Sequence, residues 1–143
     1  MLQLQRSQAS KDKPAQIARR ALHNQVNQER DRRISSGFSF NGHRFDFDPD
    51  SVANITGAGA SAGVAVSLGA VVGNLRWANP DTDFVWLSAA NVSVPMDAQT
   101  CFAFSQAAMM HKQAHVFAAR ALKDAAELPD NWKDDAFWPV VAT

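Results

Sequence analysis

One stretch of this 143-residue chain is the most informative about its fold: Phe38-Ser39-Phe40-Asn41-Gly42-His43-Arg44-Phe45-Asp46-Phe47. Apolar and polar residues alternate on both sides of an Asn-Gly pair, which tolerates the positive φ angles of a two-residue type I′ turn. The pattern predicts a β-hairpin with Phe40 opposite His43 and Phe38 opposite Phe45. All four phenylalanines then share one face, and we expect a helix to cover it.

Two helices are predicted after the hairpin. Asp48-Pro49-Asp50-Ser51 combines a capping side chain, a proline for the first turn and an acidic residue near the positive end of the helix dipole. The uncharged helix that follows is expected to end near Gly69 or Gly73. Short strands are expected over 84–87 and 92–94, and a long helix capped by Asp97 is expected to run to about Ala126.

Both predicted helices carry a seam of mostly small residues at alternating four- and three-residue spacing. Small side chains allow two helices to approach closely, so we expect the two seams to pack on each other. The seam residues are Ala53, Gly57, Ala60, Val64, Ser67 and Val71 on the first helix and Ala103, Ala107, Met110, Ala114, Phe117 and Ala121 on the second.

The N-terminal part of the chain is basic. Residues 1–33 hold eight basic and three acidic residues, a net charge of +5, whereas residues 34–143 have a net charge of −5. Residues 1–13 are expected to form a loose leader, and Pro14 is expected to begin a helix that ends near Ile34. Its apolar stripe is too narrow to bury much surface, so this helix needs a partner.

The sequence therefore predicts an α+β fold. The expected order is a basic N-terminal helix, an aromatic β-hairpin, a small-residue helix, short β-strands and a long Ala-rich C-terminal helix. We expect residues 1–33 to be an attachment segment and residues 34–143 to be a single compact domain, with the tail from Leu128 lying across its surface.

No catalytic, cofactor or metal site is predicted. His111 and His115 have the i, i+4 spacing of metal ligands but lack a third ligand and the glutamate of the zincin pattern. Cys101 has no nucleophile motif, and the aspartates of 46–50 lack the glycine and glutamate of a calcium loop. The glycine-rich run 57–63 lacks the Gly-Lys-Ser/Thr of a phosphate loop.

The composition bears on three kinds of partner: carbohydrate, nucleic acid and membrane. Four tryptophans, among them Trp132 and Trp138, could stack on sugars. Arg19, Arg20, Arg30, Arg32 and Arg33 could contact phosphates, but no aromatics interleave with them and the rest of the chain is acidic, so nucleic acid is not expected. The uncharged segment 51–75 is too rich in Gly, Ala, Ser and Thr for stable membrane insertion.

A set of short motifs in a fixed order resembles a known family. They are Arg30-Asp31-Arg32-Arg33-Ile34, Gly37-Phe38-Ser39-Phe40-Asn41-Gly42, Arg44-Phe45-Asp46, an Asp-x-x-Ser helix start, Phe84-Val85-Trp86, Val94-Pro95-Met96-Asp97, His115-Val116-Phe117-Ala118-Ala119-Arg120-Ala121-Leu122-Lys123-Asp124 and Asp135-Ala136-Phe137-Trp138-Pro139. Together they resemble an uncharacterised domain family of tailed phages and prophages, found in tail-fibre, tail-tip and tail-fibre-assembly proteins, over about residues 29–139.

The resemblance implies a non-enzymatic structural or accessory protein of a phage tail. It implies localisation in the virion, with the host cytoplasm as the place of assembly, and other tail proteins and further copies of the chain as partners. The alternatives are a chaperone for tail-fibre assembly that is absent from the virion, and a receptor- or carbohydrate-binding tip. We expect the attachment to a neighbouring tail protein to use Arg19, Arg20, Leu22, Val26, Arg30, Arg32 and Arg33.

Overall fold

The computed structural model describes residues 2–140, with side chains from residue 13 onwards. Three helices and two small antiparallel sheets confirm the predicted α+β class. The elements, in chain order, are α1 (Leu2–Ser35), β1 (Phe38–Phe40), β2 (His43–Phe45), α2 (Pro49–Ser67), β3 (Val85–Leu87), β4 (Ser93–Pro95), α3 (Ala98–Asp124) and a 3₁₀ turn at Asp135–Phe137.

The β1–β2 hairpin has the predicted turn and register. Asn41 and Gly42 have φ angles of 48° and 80°, and Phe38 pairs with Phe45 as Phe40 does with His43. The covering helix is α3, which inserts Phe104 into the aromatic face; its ring centroid lies 4.7 Å from that of Phe45. The hairpin is therefore fixed to α3 by aromatic packing.

The second sheet covers the other side of Phe104. Val85–Leu87 pairs antiparallel with Ser93–Pro95, close to the predicted strands, and Trp86 lies opposite Val94. The Trp86 ring centroid lies 5.3 Å from that of Phe104. The indole Nε1 of Trp77 donates to the Met96 carbonyl, which ties the preceding loop to the start of α3.

The ends of α2 and α3 lie close to where the sequence places them. Asp48 is the N-cap of α2, although its carboxylate accepts from the Ser51 hydroxyl rather than from a backbone N–H. Gly69, with a φ of 94°, follows the end of α2. The Asp97 carboxylate caps α3 by accepting from the Thr100 N–H at 2.7 Å. Within residues 2–140 there is no helix with the length and hydropathy needed to cross a membrane.

The predicted packing of the two small-residue seams is wrong. The faces that meet between the antiparallel helices α2 and α3 include Ile55, Gly59 and Ala62 on one side and Cys101 and Ser105 on the other. Both predicted seams lie outside, exposed except at the half-buried Ala107. The physical reason is that the chosen faces place Ile55 of α2 and Phe104 of α3 in the aromatic core under the hairpin, where buried apolar area contributes about 25 cal/mol per Å².

Helix α1 differs from the prediction at both of its ends. It begins at Leu2, so there is no loose leader over 2–13, and Pro14 lies inside the helix instead of starting it. At the other end, Val26 is fully buried in a second core with Ala119, Leu122, Trp132 and Trp138. The second half of α1 is thus part of the body, and the tail is part of its core, so residue 33 is not a structural boundary.

Candidate interaction surfaces

The first described part of α1 is exposed on every side. All residues from 13 to 22 are exposed, including Ile17 at 59%. Within residues 13–140, Arg19 and Arg20 are in no ion pair. They and Leu22 are the members of the predicted attachment set that remain open to a partner.

The other four members of that set are engaged inside the chain. Val26 is buried, so its assignment to a partner surface is corrected. Arg30 pairs with Asp31 at 2.8 Å, and Arg32 hydrogen bonds to Glu29 through its Nε at 2.9 Å. The hydrogen bond from Arg32 is the main cause that lowers the pKa of the Glu29 carboxyl.

Arg33 connects α1 to the tail. Its Nη2 donates to the Lys133 carbonyl at 2.7 Å and lies 2.9 Å from the Asp135 carboxylate. Its guanidinium also lies 5.3 Å from the centre of the Trp138 ring. Arg33 therefore acts as an internal clasp, and its charge is already matched within the chain.

A groove lies between α1 and the end of α3. It has a volume of about 510 Å³, and Leu22, Leu122 and Leu128 line its apolar part. Arg19 on one side and Glu127 on the other give it charged rims of opposite sign. No local pattern in the sequence indicates this groove, because its walls are about 100 residues apart in the chain.

The outward face of α3 exposes large apolar side chains, among them Met110 and Phe117. We call the row Ala103, Ala107, Met110, Ala114, Phe117 and Ala121 the α3 outer strip. Met110 is 67% and Phe117 62% exposed, and Phe102, Met109 and Val116 form a second exposed row on the side of α3 nearer to α2. Exposed apolar surface of this kind is typical of an interaction site.

His111 and His115 are built into the core instead of forming a site. The His111 Nε2 lies 3.1 Å from the Ile34 carbonyl, and the His115 Nδ1 lies 2.7 Å from the His111 carbonyl. Burial lowers the pKa of His111. No three His, Cys, Asp or Glu side chains within residues 13–140 are grouped so that they could hold a metal ion.

The other candidates from the sequence also have structural roles. Cys101 is fully buried, and burial raises the pKa of its thiol to about 11. Because a thiolate is the reactive form of cysteine, such a thiol is inert. The glycine-rich run 57–63 lies inside α2. Trp132 and Trp138 are buried, which contradicts the alternative that these two stack on sugars.

Comparison with known proteins gives one family. Residues 17–137 match the model of a family described as "Domain of unknown function (DUF4376)". The match covers α1 from Ile17 onwards, both sheets, α2, α3 and the tail to Phe137. No curated protein and no solved structure matches the chain.

Proposed function

Because the chain belongs to the DUF4376 family, whose description gives no function, we propose a function from its own surfaces and motifs. The protein is a non-enzymatic structural or accessory component of a phage tail, in the fibre, tip or baseplate region. It is anchored to a neighbouring tail protein through the exposed first half of α1. It is assembled in the host cytoplasm and resides in the virion.

The exposed part of α1 is the observation that carries this proposal. Every described residue of α1 from 13 to 22 is exposed, and a helix that buries none of its faces has little to stabilise it in isolation. Arg19 and Arg20 supply positive charge with no partner in the part of the chain whose side chains are described. An acidic surface on a neighbouring protein would bury the exposed faces of this helix and neutralise the charges of Arg19 and Arg20.

The groove beside α1 supports the same assignment. Leu22 and Leu128 offer apolar contact, and Glu127 stands on the opposite rim from Arg19. A neighbouring segment seated there would contact α1 and the body together. The attachment would then be rigid, because the second half of α1 is held by Val26 and Arg33.

The chemistry-bearing side chains support a non-enzymatic role. Cys101 and His115 are among the most buried side chains of the described chain, and His111 is half-buried between α3 and the last turn of α1. A catalytic group has to reach its substrate, and these groups are instead used in packing and in helix contacts.

The test is quantitative mass spectrometry of purified phage particles that encode this chain. We expect the protein to be present at a fixed copy number relative to the major tail proteins. Presence only in the infected cell, together with misassembled fibres when the gene is deleted, would instead support the chaperone alternative. Absence from particles without any tail defect would contradict both functions.

A second experiment tests the anchor. The double variant Arg19→Glu/Arg20→Glu should reduce incorporation into particles, because the helix would then repel an acidic neighbour. The matched control is Arg76→Glu/Lys112→Glu, which makes the same change of charge at exposed positions of the body. Equal incorporation of the two variants would show that α1 is not the anchor.

A further inference from the structure

The α3 outer strip has the spacing of a coiled-coil seam. Its six residues alternate four and three apart from 103 to 121, roughly 27 Å of helix. In this spacing the side chains stay on one face and fit against a second helix. Helix α2 packs on a different face of α3, so within residues 13–140 nothing covers this seam except at Ala107.

The strip and its surroundings carry almost no charge. No residue from 98 to 110 is charged, and the acidic and basic residues of α3 begin at Lys112. On the outward side of α3 the charged residues are Arg120 and Asp124, which pair with each other at 3.0 Å. A partner with charges at this seam would have to bury them unpaired, which is costly, so the partner helix is also uncharged along its seam.

The side chains of the strip complement those of a second α3 that runs in the opposite direction. An antiparallel pairing centred between Met110 and Ala114 places each of these against the other in the second copy. Phe117 then lies against Ala107, and Ala103 against Ala121. Every large side chain meets an alanine, which is how well-packed layers are built. A parallel pairing would instead place Phe117 on Phe117 and Met110 on Met110.

The size of the contact sets its strength. Two helices touching over roughly 27 Å bury less than the ~800 Å² per partner of a standard protein interface. Such an interface forms a reversible dimer whose population depends on concentration.

We infer that the protein forms a two-fold symmetric dimer through an antiparallel pairing of the α3 outer strips. This inference rests on α3 alone and does not depend on the proposed tail function. Since α1 contacts a different face of α3, the dimer leaves the exposed half of α1 available to another partner. One dimer therefore presents two basic helices.

Analytical ultracentrifugation of the full chain over a range of concentrations tests the dimer. We expect the wild type to shift from monomer to dimer as concentration rises, and Phe117→Glu to remain monomeric. The control Val72→Glu makes the same kind of change at a position that is 76% exposed and outside α3, and it should dimerise like the wild type. A wild type that is monomeric throughout, or a Phe117→Glu variant that dimerises normally, would overturn the inference.

Cysteine cross-linking tests the orientation. In an antiparallel pair the double variant Ala103→Cys/Ala121→Cys forms disulfide-linked dimers, whereas neither single variant does. The two positions are roughly 27 Å apart on one helix, so they cannot link within a chain. The buried Cys101 does not interfere. Efficient cross-linking of either single variant would show a parallel pair and overturn the arrangement.

Discussion

Gly59 of α2 lies directly against Ser105 of α3, so close that a Cβ on the glycine would overlap the Cβ and hydroxyl of the serine. Next to this contact, Gly63 lies beside the ring of Phe102. The two helices therefore pack through a glycine at the point of closest approach. The absence of a side chain at Gly59 is a requirement of the fold.

Replacing Gly59 by alanine should destabilise the protein by about 1–3 kcal/mol, because the added methyl group forces α2 away from α3. Chemical denaturation followed by circular dichroism measures this. Gly57→Ala is the matched control: a Cβ at Gly57 meets nothing within 4 Å. Alanine there should stabilise the helix by roughly 0.5–1 kcal/mol. Combining Gly59→Ala with Ser105→Gly should recover part of the lost stability. A Gly59→Ala variant as stable as the wild type would contradict the close approach of the two helices.

Asp97→Ala should cost about 1–2 kcal/mol of stability, at the upper end of the range for an N-cap. Its carboxylate accepts from the Thr100 N–H at 2.7 Å and also from the Gly73 N–H at 2.8 Å. The substitution thus removes a helix cap and releases the loop after α2. Asp97→Asn keeps an acceptor and should lose less in the same denaturation assay. If the two variants lost equal stability, the capping role would be wrong.

Stability should fall as the pH drops below about 6.5, the ordinary pKa of histidine. Burial lowers the pKa of His111 in the folded protein, so between its two pKa values the unfolded chain binds more protons. Above that range the protonation of His111 does not lower the free energy of unfolding. As the pH falls through the range, the free energy of unfolding decreases, and the decrease stops once the pH is below the pKa of His111 in the folded protein. Thermal unfolding between pH 8 and 5 should show a smaller loss of stability for His111→Gln than for the wild type. An unchanged pH dependence would exclude His111 as its source.

Val26→Ala should destabilise the protein by about 2 kcal/mol, since it removes buried methyl groups from the second core. Ile17→Ala on the exposed part of α1 should change stability by less than about 0.5 kcal/mol. Melting temperatures of the two variants test the division of α1 into an exposed and a packed half. Equal effects would contradict that division.

Truncations should separate the same two halves. Deleting residues 1–14 should change the melting temperature little, because Lys13 and Pro14, the residues of this segment whose side chains the structure describes, are both exposed. Deleting residues 1–33 removes Val26 and the clasp formed by Arg33, so it should unfold or strongly destabilise the body. A fully stable 34–143 fragment would show that the second core folds without α1.

The sequence predicts the hairpin down to its register because the information is local. Asn41 and Gly42 specify the turn, and alternation on both sides specifies the faces. The helix caps at Asp48 and Asp97 are predicted for the same reason. In each case the residues that determine the local structure lie within a few positions of one another.

The inward face of α2 and α3 was predicted wrongly because periodicity alone does not distinguish neighbouring faces of a helix rich in Ala and Gly. The burial of Ile55 and Phe104 determines which faces of α2 and α3 point inward, and it depends on contacts between segments that are distant in the chain. The burial of Val26 likewise depends on Trp132 and Trp138, about 100 residues later in the chain. The α3 outer strip has the spacing of a helix-pairing seam, but in the structure it does not pack on α2.

The clasp between Arg33 and the tail has a consequence for biosynthesis. Val26 and Arg33 leave the ribosome about 100 residues before Trp132, Lys133 and Trp138, which complete the second core and the clasp. At 5–20 residues per second the interval is on the order of 10 s. During this interval the second half of α1 lacks the core residues of the tail, and a partner can bind the exposed basic half before the body has closed.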